Sequence, residues 1–195
     1  MGQIRNIDSA SPSLTELLVG CRKKDHVAQK LLFERYAGLV LTTCRRYSTS
    51  YYPPKDLLQD TFIKVFEKIH QFDENKGKFK SWITRIAINL ALNSIRDRKI
   101  KIVGYEMEME QPNENENEKL SAELSEEKIL AIIDKLPMGY KTVFNLYAID
   151  GFSHQEIADK LNISLSTSKS QLFKAKRALQ LEITAIKKGN YGGIR

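Results

Sequence analysis

The chain has 195 residues, of which 42% are hydrophobic and 28% charged, and its formal net charge is +7. This length suits one or two small domains, and the positive charge favours an anionic partner, nucleic acid before membrane. There is no apolar run of roughly 18 residues, which excludes a transmembrane helix, and the start MGQIRNIDSASPS lacks a signal-peptide core, so we expect a soluble cytoplasmic protein.

The first elements of the chain read as helices. A short helix over 14–21 follows Ser13, and a longer one over 27–47 keeps apolar residues at helical spacing. The pair Pro53-Pro54 then forces a break in the chain, because proline restricts both its own backbone and that of the residue before it. We therefore predict two consecutive helices followed by a turn.

A third helix is predicted over 55–70, with two faces of different chemistry. Its apolar face carries Leu58, Phe62, Val65, Phe66 and Ile69. Its opposite face carries Asp56, Gln59, Asp60, Lys64 and Glu67. On its own, such a polar face is most simply a solvated surface.

A polar loop over 72–79, FDENKGKF, separates the third helix from a fourth that runs from Lys80 to about Lys101. Residues available for a core on this fourth helix are Trp82, Ile83, Ile86, Leu90 and Ile95. The other face of the helix is basic and polar, with Lys80, Arg85, Asn89, Asn93 and Arg96. The first half of the chain thus predicts a four-helix domain that ends in a basic helix.

After this helix the composition changes, because residues 105–127 hold nine glutamates against one lysine. Such a segment buries little, so we expect a flexible acidic linker over 104–121, which would span roughly 60 Å when extended. It separates an N-terminal domain over 1–103 from a C-terminal domain over 122–188, followed by a disordered tail over 189–195. Two domains joined in this way could contact separate sites on one DNA.

The C-terminal domain begins with a predicted helix over 122–136, and Pro137 starts a new element. A helix over 140–149 follows and ends at Gly151. Its predicted inward stripe consists of Val143, Phe144 and Tyr147. This helix leads into residues 151–177, the stretch of the sequence that says most about function.

Residues 151–177, GFSHQEIADKLNISLSTSKSQLFKAKR, encode two short helices joined by a tight turn. Ser153 and Glu156 form a capping box at the start of the first helix. Asn162 tolerates the left-handed conformation that ends a helix, and Ser164 can cap the next helix. The spacing predicts a helix-turn-helix.

The second helix of this motif has an apolar and a basic side. Ser168, Leu172, Ala175 and Leu179 share one face. The remaining faces carry Lys169, Ser170, Phe173, Lys174, Lys176 and Arg177. This pattern is typical of a helix that enters the DNA major groove, and the alternative is a helical hairpin with a solvated lysine face.

Residues that could carry chemistry are not clustered. Cys21 and Cys44 lie far apart without a CxxC partner, which is typical of free thiols in a reducing compartment. The three histidines are scattered, and we find no P-loop, dinucleotide turn or nucleophile elbow. We therefore predict no metal site, no cofactor and no enzymatic activity.

Four blocks of sequence, in this order, resemble one family. They are DLLQDTFIKVFEKIHQFD (56–73), FKSWITRIAINLALNSIRDRK (79–99), LPMGYKTVFNLYAIDGFSHQEIADKLNIS (136–164) and TSKSQLFKAK (167–176). Together they are similar to bacterial sigma factors of the sigma-70 family, in the small two-domain extracytoplasmic-function form. The resemblance implies an all-α protein that binds core RNA polymerase, directs it to promoters and helps to melt the DNA.

Within this resemblance, Asp56, Gln59 and Asp60 match the acidic helix that docks on the beta-prime clamp helices of the polymerase. The loop over 72–79 and the following helix match the part that captures an unstacked base of the minus-10 element. The residues suited to this role are Phe72, Lys76, Lys78, Phe79, Lys80, Trp82, Asn89, Asn93 and Arg96. Trp82 could be a stacking wedge, although its helical spacing favours a core position.

The second helix of the helix-turn-helix matches the recognition helix that reads the duplex minus-35 element. The residues implied to contact DNA are Thr167, Lys169, Ser170, Gln171, Phe173, Lys174 and Arg177. Two residues depart from the family pattern. Ser168 replaces a usual valine on the inner face, which predicts weaker packing, and Gln171 stands where arginine is frequent, which puts one contact in doubt.

The resemblance leaves the role of the acidic linker open between a nucleic-acid mimic inside the polymerase and a solubilising spacer. It also implies an anti-sigma protein as a candidate partner. A competing hypothesis is an autonomous helix-turn-helix regulator whose N-terminal domain senses or dimerises, which predicts tight binding to a two-fold symmetric duplex. A nuclease ranks last, because it needs clustered metal ligands.

Overall fold

Helices form all of the regular elements in residues 12–97 and 126–191, the part of the chain that the computed structural model describes. Apart from an isolated bridge between Thr49 and Tyr52, this part contains no β-structure, and the all-α fold class is confirmed. None of its helices is long and apolar enough to cross a bilayer. The chain divides into two compact units, Met1–Ser94 and Ile95–Arg195.

The N-terminal unit follows the predicted order of helices. These are α1 (Leu14–Arg22), α2 (His26–Tyr47), α3 (Pro54–Lys68), a 3₁₀ turn (Ile69–Gln71) and α4 (Phe79–Asp97). Ser13 and Glu16 form a capping box at α1, and the Asp25 side chain accepts from the first backbone amides of α2. A Cβ at Gly20 would lie 2.5 Å from the Cβ of Ala28, so α1 and α2 approach closely there.

The core of the N-terminal unit corrects parts of the predicted apolar faces. On α3 the predicted Phe62 and Val65 are buried, and Leu57 is buried in place of Leu58, which stays partly exposed. On α4 the predicted Ile86 and Leu90 are also partly exposed. The buried residues of α4 are Phe79, Ile83, Ala87, Ile88, Ala91, Leu92 and Ile95. Alanines occupy the middle of the buried face of α4. The prediction relied on the large aliphatic residues and therefore placed the centre of this face at the wrong position around the helix.

The C-terminal unit is arranged around its last helix. Its elements are α5 (Glu126–Asp134), α6 (Met138–Phe144), a π-helical turn (Asn145–Ile149), α7 (His154–Leu161) and α8 (Leu165–Tyr191). α5, α6 and α7 each pack against α8. Ile132 and Ile133 of α5 form a buried cluster with Leu179 of α8. α8 continues beyond its predicted end at Lys188. The predicted linker (104–121) lies outside the described residues.

The π-helical turn explains a wrong prediction in the helix before the helix-turn-helix. The backbone N–H of Asp150 donates to the carbonyl of Asn145 at 3.0 Å, five residues back, so the turn holds one more residue than an α-turn. Tyr147, predicted to point inward, is 40% exposed, whereas Leu146 is fully buried. The wider turn rotates the following side chains, which places Tyr147 on the surface beside α7.

Candidate nucleic-acid interface

The caps predicted for the helix-turn-helix are present. The hydroxyl of Ser153 accepts from the Glu156 backbone amide at 3.2 Å, and the Glu156 carboxylate accepts from the Ser153 amide at 2.8 Å. Asn162 takes the left-handed conformation at the end of α7, with φ 54° and ψ 50°. The hydroxyl of Ser164 then accepts from the backbone amide of Thr167 at 3.0 Å. Local hydrogen bonds therefore fix the angle at which α8 leaves the turn.

The inner face of α8 is the predicted one. Its buried members are Ser168, Leu172, Ala175 and Leu179. Ser168, which we expected to weaken this packing, is fully buried and hydrogen-bonds through its hydroxyl to Nδ1 of His154 at 2.9 Å. The His154 ring in turn stacks on Tyr147, with centroids 4.5 Å apart. A polar contact thus joins α7 to α8 where an apolar contact was expected.

The outer face of α8 presents most of the residues predicted to contact duplex DNA. Those at least partly exposed are Thr167, Lys169, Ser170, Phe173, Lys174 and Arg177. Gln171 is only 3% exposed, so its placement on the DNA-contacting face is corrected to the core side. It precedes Leu172 and follows Ser168 by three residues, which brings it within the buried arc.

Burial and the positive charge of the outer face of α8 affect the pKa of His154. Burial lowers the pKa of His154, and the positive charges of Lys169 and Lys176 lower it further. The imidazole is therefore held towards its neutral form at the junction of α7 and α8. A neutral ring is compatible with the hydrogen bond to the Ser168 hydroxyl in either tautomer.

Aromatic residues at the two ends of the loop over 72–79 pack against each other. Phe72 and Phe79 are buried, with ring centroids 5.1 Å apart and planes at 81°. Their predicted exposure to an incoming base is therefore corrected: they form the floor beneath the loop. Trp82 contacts both rings, at 5.3 Å and 5.5 Å, and stays partly exposed. It belongs to the aromatic cluster, as its spacing favoured, with one part of its surface open.

A recess of about 270 Å³ opens beside this cluster. Its lining includes Phe72, Lys76, Lys78, Ser81, Trp82 and Arg85. The loop that bounds it is ordered by Asp73, whose carboxylate accepts from the Asn75 backbone amide at 2.9 Å. That bond is the main reason the pKa of Asp73 lies below its usual value. An aromatic wall with cations at the rim is the arrangement that binds an unstacked base and its phosphates.

The polar side of α4 continues from this recess along the helix. Lys80, Asn89, Asn93 and Arg96 are all exposed, as predicted. Arg85, which also lines the recess, was assigned to this side of the helix but not to the set of DNA contacts. Its position near Trp82 on the same helix is the signal that could have identified it.

The proposed polymerase-binding residues lie together on α3. Asp56, Gln59 and Asp60 are exposed, and the Tyr52 hydroxyl donates to the Asp60 carboxylate at 2.6 Å. Burial raises the pKa of Tyr52, and the bond to Asp60 raises it further. The carboxylate of Asp60 is thus held in one orientation by a neutral phenol.

An apolar groove next to these residues was not anticipated from the sequence. It lies between α2 and α3, has a volume of about 570 Å³ and is lined by Phe33, Leu41, Leu58, Phe62, Ile63 and Phe66. Phe33 is 38% exposed and Ile63 50% exposed. Two large apolar side chains outside the buried stripes of their helices were the available signal.

The described residues hold no group of three or more metal-ligating side chains. Cys21 and Cys44 are both buried as free thiols. Burial is the main reason the pKa of each rises to about 11, which keeps both protonated at neutral pH.

Comparisons with known proteins agree on one family. A model described as Sigma-70 region 2 matches residues 32–100, and one described as Sigma-70, region 4 matches residues 126–179, so α1 lies outside both. The ECF RNA polymerase sigma factor SigW of Bacillus subtilis (strain 168) is 30% identical over 177 residues, which cover 83% of this chain and 92% of that protein. The ECF RNA polymerase sigma-E factor of Escherichia coli (strain K12) is 29% identical over 186 residues, which cover 89% and 96%.

Two solved structures are also similar in part. CnrH in complex with the cytosolic domain of CnrY is 20% identical, with a TM-score of 0.46, and the match covers 87% of this chain and 96% of that one. The sigma factor RpoE in complex with the anti-sigma factor NepR from Bartonella quintana is 20% identical, with a TM-score of 0.48, and the match covers 80% and 96%.

Proposed function

Because the chain belongs to the extracytoplasmic-function (ECF) sigma factors of the sigma-70 family, we propose that it binds core RNA polymerase and divides promoter recognition between its two units. The C-terminal unit reads duplex DNA, and the N-terminal unit holds the polymerase and an opened strand. The observation that carries this proposal is the capped helix-turn-helix, whose second helix buries one face and exposes a basic one. The protein acts by binding, and the polymerase supplies the chemistry.

In the C-terminal unit, α8 is the helix that enters the major groove at the minus-35 element. Lys169 and Lys174 can reach guanine edges or phosphates, Ser170 and Thr167 can bond to either, and Phe173 can pack on a thymine methyl group. Arg177 is placed for the DNA backbone. The bond between His154 and Ser168 supports this role, since it holds α8 against α7 while leaving the outer face clear.

In the N-terminal unit, the recess beside Trp82 receives the unstacked minus-10 base. The open part of the Trp82 ring provides a stacking surface, with buried Phe72 and Phe79 fixing its position from behind. The cations at the rim and the polar side of α4 follow the strand and its phosphates. They are Lys76, Lys78, Lys80, Asn89, Asn93 and Arg96, and we include Arg85 because it lines the same recess.

The polymerase-binding surface consists of Asp56, Gln59 and Asp60 on α3. The adjoining apolar groove supports this assignment, because interfaces combine an apolar centre with a polar rim. Gln59 lines the groove together with Lys55. The carboxylates of Asp56 and Asp60 are exposed on the same helix, which suits a basic partner surface. An anti-sigma protein remains a further expected partner, on the family membership alone.

Transcription from a promoter library tests the proposal. Core RNA polymerase with the full chain should initiate from a subset of sequences with shared minus-10 and minus-35 elements, and core polymerase alone should not. The autonomous-regulator alternative is measured in the same series by duplex binding without polymerase. Tight binding of the free chain to a two-fold symmetric site, without promoter selection by the polymerase, would contradict the proposal.

A further inference from the structure

The loop over 72–79 is held in place from α1, a helix that lies outside the residues matched by the two family models. The guanidinium Nη2 of Arg22, at the end of α1, donates to the carbonyl oxygen of Phe72 at 3.0 Å. At the start of the same helix, the Thr15 hydroxyl donates to the Glu74 carboxylate at 3.3 Å. α1 therefore contacts both the first residue of the loop and its middle.

Phe72 is the residue through which a contact from α1 reaches the proposed base-binding recess. It follows the 3₁₀ turn, and its ring packs against Trp82 and Phe79. It lines the recess beside Trp82 and also two further recesses, of about 640 Å³ and 500 Å³. A shift of its backbone therefore changes the shape of the Trp82 recess.

We propose that Arg22 is a positioning residue for minus-10 recognition: its bond to the Phe72 carbonyl sets the loop in the base-binding shape before DNA arrives. The inference rests on the proposed function of the recess. A charged donor makes a stronger hydrogen bond than a neutral one. A loop that is already ordered loses less conformational entropy when it binds, so the bond favours capture of the correct base.

Two substitutions isolate this bond. Arg22→Met removes the guanidinium and keeps the length of the side chain, whereas Arg22→Lys keeps the charge and one donor group. Lys23→Met is the matched control, since Lys23 is the exposed neighbour at the same helix end and its loss removes the same charge. All variants are made in the full chain.

The first measurement is amide hydrogen exchange of residues 73–78 in the free protein, which does not depend on the proposed function. Exchange in this loop should become about fivefold to tenfold faster in Arg22→Met, the size expected for the loss of one typical hydrogen bond. It should change less in Arg22→Lys and stay as in the wild type in Lys23→Met. Equal exchange in Arg22→Met and Lys23→Met would overturn the inference.

The second measurement is promoter selection by the holoenzyme from a library randomised over the minus-10 element. Arg22→Met should lower the preference for the captured base about fivefold to tenfold, with minus-35 preferences unchanged. A uniform loss over all sequences, with a shallower salt dependence, would overturn the inference and identify Arg22 as a phosphate contact. Absence of promoter selection by the wild type would instead contradict the proposed function, and the exchange rates would still decide the role of Arg22.

Discussion

Lys174 is the residue that best separates base reading from phosphate binding on α8. It is partly exposed on the outer face, one residue after Phe173. We expect Lys174→Ala to weaken promoter binding by about 1–3 kcal/mol, with discrimination lost at one position, if the ammonium reads a base edge. Holoenzyme binding to single-base promoter variants at two salt concentrations measures this. An equal loss at all variants, with a smaller salt slope, would mean a phosphate contact instead.

His154 gives the C-terminal unit a predictable response to acid. Its pKa is lowered in the folded chain, chiefly by burial, whereas in the unfolded chain it returns to about 6.5. As pH falls below about 6.5 the unfolded state binds the proton first, so the free energy of unfolding decreases; above that pH the contribution is fully present.

His154→Gln should therefore flatten this acid-dependent loss while keeping a polar side chain beside Ser168. Urea unfolding of the C-terminal unit at pH 7.5 and 5.5 measures the effect, and His70→Gln, at an exposed position in the N-terminal unit, is the control. If both variants show the pH dependence of the wild type, the assignment to His154 is wrong.

Residue-level predictions from sequence succeeded where a residue's neighbours along the chain decide its role. The caps at Ser153, Asn162 and Ser164 are of this kind, because each bonds within a few residues. They failed for Gln171 and Phe79, whose burial depends on how far an apolar surface from other elements reaches around the helix. Arg22 could not be found in this way, since its acceptor at Phe72 lies 50 residues along the chain.

On α3, the hydrogen bond from Tyr52 to Asp60 means that reversing the charge of Asp60 affects stability as well as binding. We expect Asp60→Arg to weaken binding to core polymerase and also to lower the stability of the N-terminal unit by about 1 kcal/mol, since the Tyr52 hydroxyl loses its acceptor. Tyr52→Phe removes the same bond but keeps the carboxylate, so it should share the loss of stability and retain more binding. A pull-down in which Asp60→Arg binds as well as the wild type would count against this docking surface.

Helix order and most boundaries followed from apolar spacing, proline and capping residues. The exception is the π-helical turn over 145–149, because the sequence there continues a normal helical pattern and only packing selects the wider turn. A single added residue in a turn rotates the side chains within and after it, so Tyr147, predicted to point inward, is exposed and its neighbour Leu146 is buried. Sequence patterns thus located the elements reliably and their rotation less so.

At the scale of the whole chain, the predicted linker sets how far apart the two units can bind. Deleting residues 108–117 would shorten its extended reach from roughly 60 Å to about 27 Å. That is less than one turn of duplex, about 34–36 Å, so we expect transcription from two-element promoters to fall sharply. Replacing the same residues with glycine and serine restores the reach and removes four of the six glutamates in the linker.

Run-off transcription with both variants distinguishes the two roles left open for the linker. Full activity of the glycine-serine variant would identify a spacer, and reduced activity would identify a role for the glutamates themselves. A deletion variant as active as the wild type would show that reach is not limiting.

The close approach at Gly20 has a consequence for how promoter preference can change. A methyl group there would meet the Cβ of Ala28 at 2.5 Å, so a larger residue at this position forces α1 and α2 apart. Arg22 lies two positions further on, and its bond to Phe72 connects this helix contact to the wall of the proposed base-binding recess. We therefore expect inherited substitutions at the contact between α1 and α2, which lies away from the DNA, to change which promoters are selected.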